Sequence, residues 1–296
     1  IKFNETFDLT DGSAAFFARG ERRFANVRAL NLKSPSITLD EAHMRELYAY
    51  DLFNQVGVKA PMSNTARLFL NIGGERIDYG VYTMLEPVDK TFLRKRYGDD
   101  ANEGNLYKCL WQSGGPATLA PIDLNNSDVI GLEDDQGFKP SYDRKTNKSD
   151  TNYTDIRDFA STINNLSGSE LKSYLDENFE VDNFLKFLAM NVLIGMPDDY
   201  WGMGNNYYLY FNNMGKIEFF PFDYDHSFER GWQPVDTSSL NIYDWWNGPE
   251  LWGANSFFHA RPLVTKILEI PEFNLAYTEY LEAFTNPSNG VFSYTN

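Results

Sequence analysis

The sequence predicts an α+β protein with two lobes, in which a small β-containing N-lobe precedes a mostly helical C-lobe. Two β-hairpin patterns predict the sheets, and a series of apolar helical patterns predicts the helical part. A stretch at 111–150 that is rich in Gly, Pro, Asn, Asp and Ser marks the boundary between the lobes. We therefore assign 1–110 to the N-lobe and 111–296 to the C-lobe, with 111–150 as a long insertion, and expect the lobes to form one unit.

The first predicted helix follows Asp40, whose side chain can cap a helix N-terminus. The helix ends at Gly57, and Pro61 follows shortly after it. Its apolar residues recur at helical spacing, so we expect one face to be buried. The members of that face are Met44, Leu47, Tyr48, Leu52 and Val56.

Both hairpins are predicted from pairs of β-rich runs joined by turn residues. The first pairs 65–72 with 76–84 through Gly73-Gly74, because adjacent glycines accept positive φ angles. The second pairs 207–211 with 216–220. Each hairpin is expected to form part of a sheet.

The remaining patterns are helical. Residues 181–194 are almost wholly apolar, which predicts a central buried helix. Proline at the first turn and glycine after the last turn mark several of the boundaries. The predicted helices lie between Pro87 and Gly98, at 154–166, 169–177 and 181–194, and after Pro262 and Pro271.

The chain is acidic, with 42 Asp and Glu residues against 26 Lys and Arg residues and a formal net charge of −16. Nonspecific binding to a nucleic acid backbone requires clustered basic residues, so we expect no nucleic-acid partner. An acidic cleft that binds a polyphosphate would need a divalent cation to supply positive charge. No apolar run has the length of a membrane span, so we expect none. A single cysteine, Cys109, excludes an internal disulfide framework.

Acidic and amide side chains flank the second hairpin. Asp198 and Asp199 follow the buried helix, Asn206 precedes the hairpin, and Asp223 and Asp225 come after it. Because a hairpin returns the chain to its starting point, these oxygens can lie within reach of one divalent ion, with both later carboxylates on one side of an extended segment. Phosphoryl transfer uses this order of groups to position an acceptor hydroxyl and to hold metal ions. The alternative is that they are turn and cap residues on solvated loops.

The same region resembles a known family. The run Gly195-Met196-Pro197-Asp198-Asp199-Tyr200-Trp201 is followed by Asn205-Asn206-Tyr207-Tyr208-Leu209-Tyr210 and then by Pro221-Phe222-Asp223-Tyr224-Asp225. These segments resemble the signature of the spore-coat-protein-H-like (CotH) family of atypical kinases. Further similar stretches extend over nearly the whole chain, at 1–4, 44–46, 49–53, 79–82, 105–108 and 145–147.

The resemblance implies a two-lobed, atypical protein-kinase-like fold and a phosphotransferase that acts on Ser or Thr of protein substrates. The implied cofactors are ATP and a divalent cation, Mg²⁺ or Mn²⁺, with Ca²⁺ as a further alternative. Asp199 resembles the catalytic acid, with Asp198 as the alternative, and Asn206 and Asp223 resemble the metal ligands. Asp225 joins the metal ligands through its spacing from Asp223. The implied location is extracellular, at the cell surface or in a spore coat.

Candidates for nucleotide binding lie in or near the predicted strands. Lys108 would reach phosphate oxygens as a point charge, with Tyr107 or Tyr142 stacked on adenine. Glu86 would pair with such a lysine, and Lys2 is a second candidate for the lysine itself. The alternatives are a surface lysine beside a core tyrosine, and a solvated acid that ends a strand.

The main alternative function is a catalytically silent binding or scaffolding module that keeps the same fold. An aromatic segment near the C-terminus suits a module that contacts carbohydrate, although such rings also anchor loops. Family members usually carry a Lys-rich segment before the strand that 1–3 completes, so we expect the N-lobe of this chain to lack its first strands. The aromatic segment contains Trp232, Tyr243, Trp245, Trp246 and Trp252.

Overall fold

The structure is a computed structural model that describes residues 1–2, 9–23, 29–34, 44–99, 103–123, 125–228, 237, 240–245 and 260–293. The helices are α1 (Ala14–Gly20), α2 (Arg45–Gln55), α3 (Lys90–Tyr97), α4 (Thr154–Asn165), α5 (Gly168–Asn178), α6 (Val181–Leu193), α7 (Tyr200–Met203), α8 (Pro262–Leu268) and α9 (Pro271–Thr285). The strands are β1 (Asn31–Lys33), β2 (Ser63–Ile72), β3 (Glu75–Leu85), β4 (Asn105–Cys109), β5 (Ile130–Gly131), β6 (Tyr142–Arg144), β7 (Tyr207–Phe211) and β8 (Ile217–Pro221).

The strands form two sheets, which together with the helices make the chain an α+β protein. The first sheet has three strands in the order β1-β3-β2, and all its pairs are antiparallel. The second has five strands in the order β5-β6-β4-β7-β8. Only the short β5–β6 pair is parallel among the pairs of this sheet. Within the described residues, no helix is long and apolar enough to cross a membrane.

Both predicted hairpins are confirmed. In the first, Gly73 and Gly74 have φ angles of 60° and 91°, which is the left-handed conformation that the turn requires. In the second, β7 and β8 pair from Tyr207↔Pro221 to Phe211↔Ile217, so the two ends of this hairpin lie side by side. The second hairpin therefore brings residue 206 next to residue 222.

The predicted buried face of α2 is only partly confirmed. Leu52 is buried as predicted, but Met44 and Tyr48 are exposed, and Glu46 and Tyr50 are buried instead. Helical spacing identified the helix but not its whole inward face, because Tyr50 and Glu46 turn inward to contact the chain after β8. The predicted start at Asp40 lies outside the described residues.

The other predicted helices are confirmed, with α6 at the centre of the core. Its side chains from Phe184 to Met190 are buried apart from Lys186, and they pack in the cluster that also contains Phe53 of α2. Asp89 caps α3, because its Oδ1 accepts hydrogen bonds from the N–H groups of Thr91 (2.7 Å) and Phe92 (3.2 Å).

The five-stranded sheet has a different hydrophobic cluster on each face. Tyr107, Leu209 and Phe219 belong to the larger cluster around α6. Tyr208 and Phe220, which point the other way because side chains alternate along a strand, belong to a smaller cluster that includes Phe92 and Leu93 of α3. The sheet thus lies between α3 and the helical core.

The insertion at 111–150 is mostly irregular, as predicted, but it also contributes β5 and β6 to the sheet. β6 pairs with β4, and β4 pairs in turn with β7. β4, which ends next to the predicted lobe boundary, therefore belongs to the same sheet as the second hairpin.

Candidate functional site

The ends of the second hairpin form the base of the site. The N–H of Phe222 donates a hydrogen bond to the carbonyl oxygen of Asn206 at 3.1 Å. Asn206 and Asp223 have φ angles of 56° and 62°, a left-handed conformation that is uncommon outside glycine. Such strained residues cluster at functional sites, because the surrounding structure must hold them in place. Here they hold one amide and one carboxylate at the same end of the hairpin.

Asp198 lies directly against Asn206. The Nδ2 group of Asn206 donates to Oδ2 of Asp198 and to its carbonyl oxygen, both at 2.9 Å. Asn205 Nδ2 donates to the other carboxylate oxygen, Oδ1, at 3.0 Å. Because both hydrogens of its Nδ2 point at Asp198, Asn206 has its amide oxygen on the opposite side, available as a ligand.

The charge of Asp198 is coupled to the acids after the hairpin. Burial raises its pKa to about 7, the hydrogen bond from Asn205 opposes this, and the charges of Asp223, Asp199 and Asp225 add to it. Only 5% of the residue is exposed. Asp198 is therefore a buried carboxyl group within the electrostatic field of the site.

Asp199 has a different position from its neighbour. It is fully buried and caps α7, with its Oδ1 accepting a hydrogen bond from the N–H of Gly202 at 2.7 Å. Burial raises its pKa to about 7, against the hydrogen bonds from the N–H groups of Gly202 and Trp201 and the charge of Arg261. An exposed loop position for Asp199 is thus wrong, and no hydrogen bond in the described structure links its side chain to Asn206.

Three carboxylates surround Lys33 at the end of β1. Its Nζ lies 3.2 Å from Oε1 of Glu46 and 3.1 Å from Oδ2 of Asp225, and it also contacts Oδ1 of Asp223. Although burial lowers the pKa of Lys33, the charges of Glu46, Asp223 and Asp225 outweigh this effect and raise it. Lys33 is therefore a firmly charged ammonium group.

Helix α2 fixes the chain that carries Asp223. The hydroxyl group of Tyr50 accepts a hydrogen bond from the N–H of Asp223 at 3.0 Å, and Oε1 of Glu46 accepts one from the N–H of Tyr224 at 3.2 Å. Burial raises the pKa of Glu46 to about 7, Lys33 opposes this, and Asp223 and Asp225 add to it. Glu46 thus contacts both the lysine and the backbone of the acidic segment.

Sequence reasoning missed the roles of Lys33 and Glu46. β1 has only three residues, which is too short a run for a strand pattern to mark Lys33 in the sequence. A usable signal was present in the order of a strand lysine followed by a glutamate in the first turn of the next helix. That order is typical of the lysine–glutamate pair in protein kinases.

A cleft of about 410 Å³ opens beside this cluster. Lys33, Glu46 and Asp223 line one side, and Phe222 and Lys108 line another. Burial lowers the pKa of Lys108 to about 8, and Lys145 adds to this, while Asp223 opposes it. The ammonium group of Lys108 also lies 3.9 Å from the centre of the Phe222 ring. Of the residues that the sequence predicts to bind nucleotide, Lys108 thus lines the cleft.

Tyr107 and Tyr142 lie in the core instead. Tyr107 points to the face of the sheet opposite Lys108, where its hydroxyl group donates to Asp155 at 2.8 Å and accepts from Arg144 at 2.7 Å. The hydroxyl group of Tyr142 accepts a hydrogen bond from the N–H of Leu119 at 2.7 Å, and the residue is 3% exposed. Both rings are thus packed where no ligand can stack on them.

Glu86 and Lys2 also lie apart from the cluster around Lys33. Glu86 forms ion pairs with Lys95 at 3.0 Å and with Arg96 at 2.9 Å, so its partners are on α3 rather than on β4. Lys2 is exposed and forms an isolated β-bridge with Ala29. Neither residue is among those that line the cleft.

The residues around the hairpin offer hard oxygen donors of the kind that Mg²⁺ and Mn²⁺ prefer. These donors are the carboxylates of Asp198, Asp223 and Asp225 and the amide oxygen of Asn206. Within the described ranges, no group of three or more His, Cys, Asp or Glu side chains is arranged to hold a metal ion. The chemistry of the donors fits a divalent cation. Two of the carboxylates, those of Asp223 and Asp225, form ion pairs with Lys33.

Two residues of the aromatic segment, Tyr243 and Trp245, lie in the part of the chain that the structure describes. Trp245 is buried, with 3% of its surface exposed. Tyr243 is 41% exposed and packs edge-on against Tyr277 of α9 at 5.9 Å. Trp232, Trp246 and Trp252 lie outside the described residues.

Comparisons with known proteins identify the family of the chain. The family profile described as "CotH kinase protein" matches residues 8–293. The chain belongs to this CotH kinase family. It is 26% identical over 266 residues to the inner spore coat protein H of Bacillus subtilis, which covers 88% of this chain and 63% of that protein. It is 24% identical over 270 residues to spore coat protein homolog 1 of Rhizopus delemar, which covers 86% of this chain and 39% of that protein.

The chain thus spans less than two thirds of the length of either CotH relative. Both relatives carry names that refer to the spore coat. The segment that contains the whole hairpin site, from Asp198 to Asp225, lies inside the CotH match.

Proposed function

We propose that this chain is an ATP- and divalent-metal-dependent phosphotransferase with a two-lobed, atypical protein-kinase-like fold, and that it phosphorylates Ser or Thr of protein substrates. The observation that carries the proposal is the ion pair between Lys33 of β1 and Glu46 of α2, beside Asp223. Protein kinases require such a pair together with an aspartate that binds Mg²⁺. A buried charge cluster is weak evidence for stability but good evidence for a functional site.

Lys33 would bind phosphate oxygens of the nucleotide. Its ammonium group lines the cleft and keeps its charge, since three carboxylates raise its pKa. Glu46 orients Lys33 from the first turn of α2. Lys108, on the opposite wall, is a second cation for the same phosphates.

Asp198 would position the acceptor hydroxyl and accept its proton. It lies against Asn206, whereas the carboxylate of Asp199 caps α7. A pKa of about 7 suits a general base that works near neutral pH. We therefore assign the role of general base to Asp198 and a helix-capping role to Asp199.

Asn206, Asp223 and Asp225 would hold the divalent cation, whose charge offsets that of the transferred phosphoryl group. The hairpin places the first two at adjacent chain ends, and α2 fixes Asp223 through Tyr50. Before nucleotide binds, Lys33 neutralises these carboxylates. That arrangement keeps an acidic cleft stable until it receives its ligand.

The names of the relatives support a location in a spore coat or at another extracellular surface. The acceptor would then be a protein of that layer.

The test is phosphate transfer from labelled ATP with Mg²⁺ or Mn²⁺, to the chain itself and to a Ser-containing acceptor protein. Asp198→Asn should lower the rate by about 10²–10⁴-fold, the usual contribution of a positioned general base. The matched control is Asp182→Asn, an exposed aspartate that pairs with Lys186 on α6. Undiminished transfer in a folded Asp198→Asn variant would refute the assignment of Asp198. No transfer by the unaltered chain would favour a catalytically silent module with this fold.

A further inference from the structure

A second, strongly basic pocket adjoins the cleft. This basic pocket has a volume of about 550 Å³ and is lined by Lys90, Thr91 and Arg94 of α3, by Tyr208 of β7 and by Lys145, which directly follows β6. Lys90 and Arg94 are four residues apart, so they lie on the same face of the helix. The pocket therefore gathers three cationic side chains in a chain whose net charge is −16.

The charges of Lys90 and Arg94 are not neutralised locally. Both side chains are exposed, and neither forms an ion pair within the described parts of the chain. Asp89 is the acidic residue of the lining, and its carboxylate already accepts two backbone hydrogen bonds at the start of α3. Lys145 differs, since it pairs with Asp143 and with Glu133 at 3.1 Å. Lys90 and Arg94 are thus the cations with free binding capacity.

The basic pocket continues into the wall of the cleft. The ring of Tyr208 meets the ring of Phe222 edge-on at 5.4 Å, and Phe222 lines the cleft just before Asp223. Lys108 lies over both rings, 3.9 Å from the centre of Phe222 and 6.0 Å from that of Tyr208. The contacting rings of Tyr208 and Phe222 would therefore separate a group bound in the pocket from the proposed catalytic residues.

We propose that the basic pocket binds an anionic side chain, a phosphoserine or an acidic residue, of the protein that accepts the phosphoryl group. The inference rests on the proposed function and adds a substrate class to it. The phosphates of the nucleotide have their own cation in Lys33, on the other side of Phe222. A long nucleic acid is disfavoured by the acidic surface, whereas a single anionic side chain meets only the local charge. Lys90 and Arg94 would then set a preference for acceptors that carry an acid near the phosphorylated residue.

The test measures binding of three peptides that differ at one position, which carries phosphoserine, glutamate or serine, in the absence of nucleotide. The unaltered chain should bind the phosphoserine peptide at least about tenfold more tightly than the serine peptide, with the glutamate peptide between them. The double variant Lys90→Ser, Arg94→Ser should lose this preference. The control is Arg157→Ser, Lys172→Ser, which removes the same charge from α4 and α5 and should retain it.

Equal binding of the three peptides by the unaltered chain, or a preference that survives in the Lys90→Ser, Arg94→Ser variant, would overturn the proposal. The proposal would also be overturned if the chain bound inorganic phosphate but bound the three peptides equally. Because Lys90 and Arg94 are both exposed, circular dichroism should show an unchanged fold in the Lys90→Ser, Arg94→Ser variant. Because nucleotide is absent, a catalytically silent protein would still show the preference, which separates this test from that of the phosphotransferase.

Discussion

The ammonium group of Lys33 offsets the charges of Glu46, Asp223 and Asp225. Without it, three carboxylates would face and repel one another in a partly buried cleft. The same ammonium group is the one that a nucleotide would meet first. In the proposed function, Lys33 would therefore both offset the charge of the unliganded site and bind the nucleotide.

Asp199, next to the proposed general base, has a structural role as the N-cap of α7. We expect Asp199→Ala to lower the free energy of unfolding by about 0.5–2 kcal/mol, because it removes the N-cap of α7. Asp199→Asn should cost less, since its amide oxygen can accept the same hydrogen bond from Gly202. Urea unfolding of both variants measures the difference. Equal stability of the alanine variant and the unaltered chain would contradict the capping role.

The buried carboxyl groups predict an unusual pH dependence of stability. Burial raises the pKa of Glu46, Asp198 and Asp199 to about 7, above the value of about 4 expected in the unfolded chain. Between these values the folded state binds more protons than the unfolded state, so the free energy of unfolding should fall as the pH rises from about 4 to about 7.

Unfolding in urea at pH 5 and at pH 8 measures this effect. We expect lower stability at pH 8, and a smaller difference between the two pH values in Asp199→Asn, which removes one of the three titrating groups. An unchanged difference in that variant would show that the pKa of Asp199 is not raised in the folded state.

At the scale of elements, hydrogen bonds connect α2 to the chain that follows the second hairpin. Tyr50 on α2 holds the N–H of Asp223 in its left-handed conformation, and Glu46 holds the next N–H along the chain. A displacement of α2 would therefore move Lys33's partner and the proposed metal ligand together. This coupling gives the helix control over the geometry of the whole site.

We expect Tyr50→Phe to leave the N–H of Asp223 without its partner and to cost about 0.5–1.5 kcal/mol of stability. The affinity for MgATP should fall as well, because Asp223 loses its support. The control is Tyr48→Phe on the same helix, whose ring is 42% exposed and stacks on Phe228 at 5.5 Å. Calorimetric titration and urea unfolding of both variants provide the comparison. Equal behaviour of the two variants would show that Tyr50 has no special role.

Local sequence patterns identified most elements, because glycine turns, prolines and apolar spacing are local signals. They predicted both hairpins and the helices from α3 onward except the short α7, and they placed Asp198, Asn206, Asp223 and Asp225 around the second hairpin. They gave only part of the inward face of α2, since that face depends on packing against the chain after β8. For the same reason they could not separate Asp198 from Asp199, whose different environments arise from α7 and Asn206.

At the scale of the whole molecule, the site depends on contacts between distant parts of the chain. Lys33 and Asp223 are 190 residues apart, and no local pattern joins them. Tyr107 and Lys108 are adjacent, yet the sheet sends one into the core and the other to the cleft. The resemblance identified the CotH family, whereas the contact between Lys33 and Glu46 is shown only by the structure.

The most direct test of the account is the affinity for MgATP of the unaltered chain, of Lys33→Met and of Lys59→Met, measured by calorimetric titration. Lys59 is the matched control, because it pairs with the buried Glu218 at 2.9 Å and is not among the residues that line the cleft. Loss of a charged contact to phosphate should cost about 1.5–3 kcal/mol, a roughly ten- to hundredfold rise in Kd, in Lys33→Met alone. Absence of MgATP binding to the unaltered chain, or equal affinities of the two lysine variants, would contradict the account.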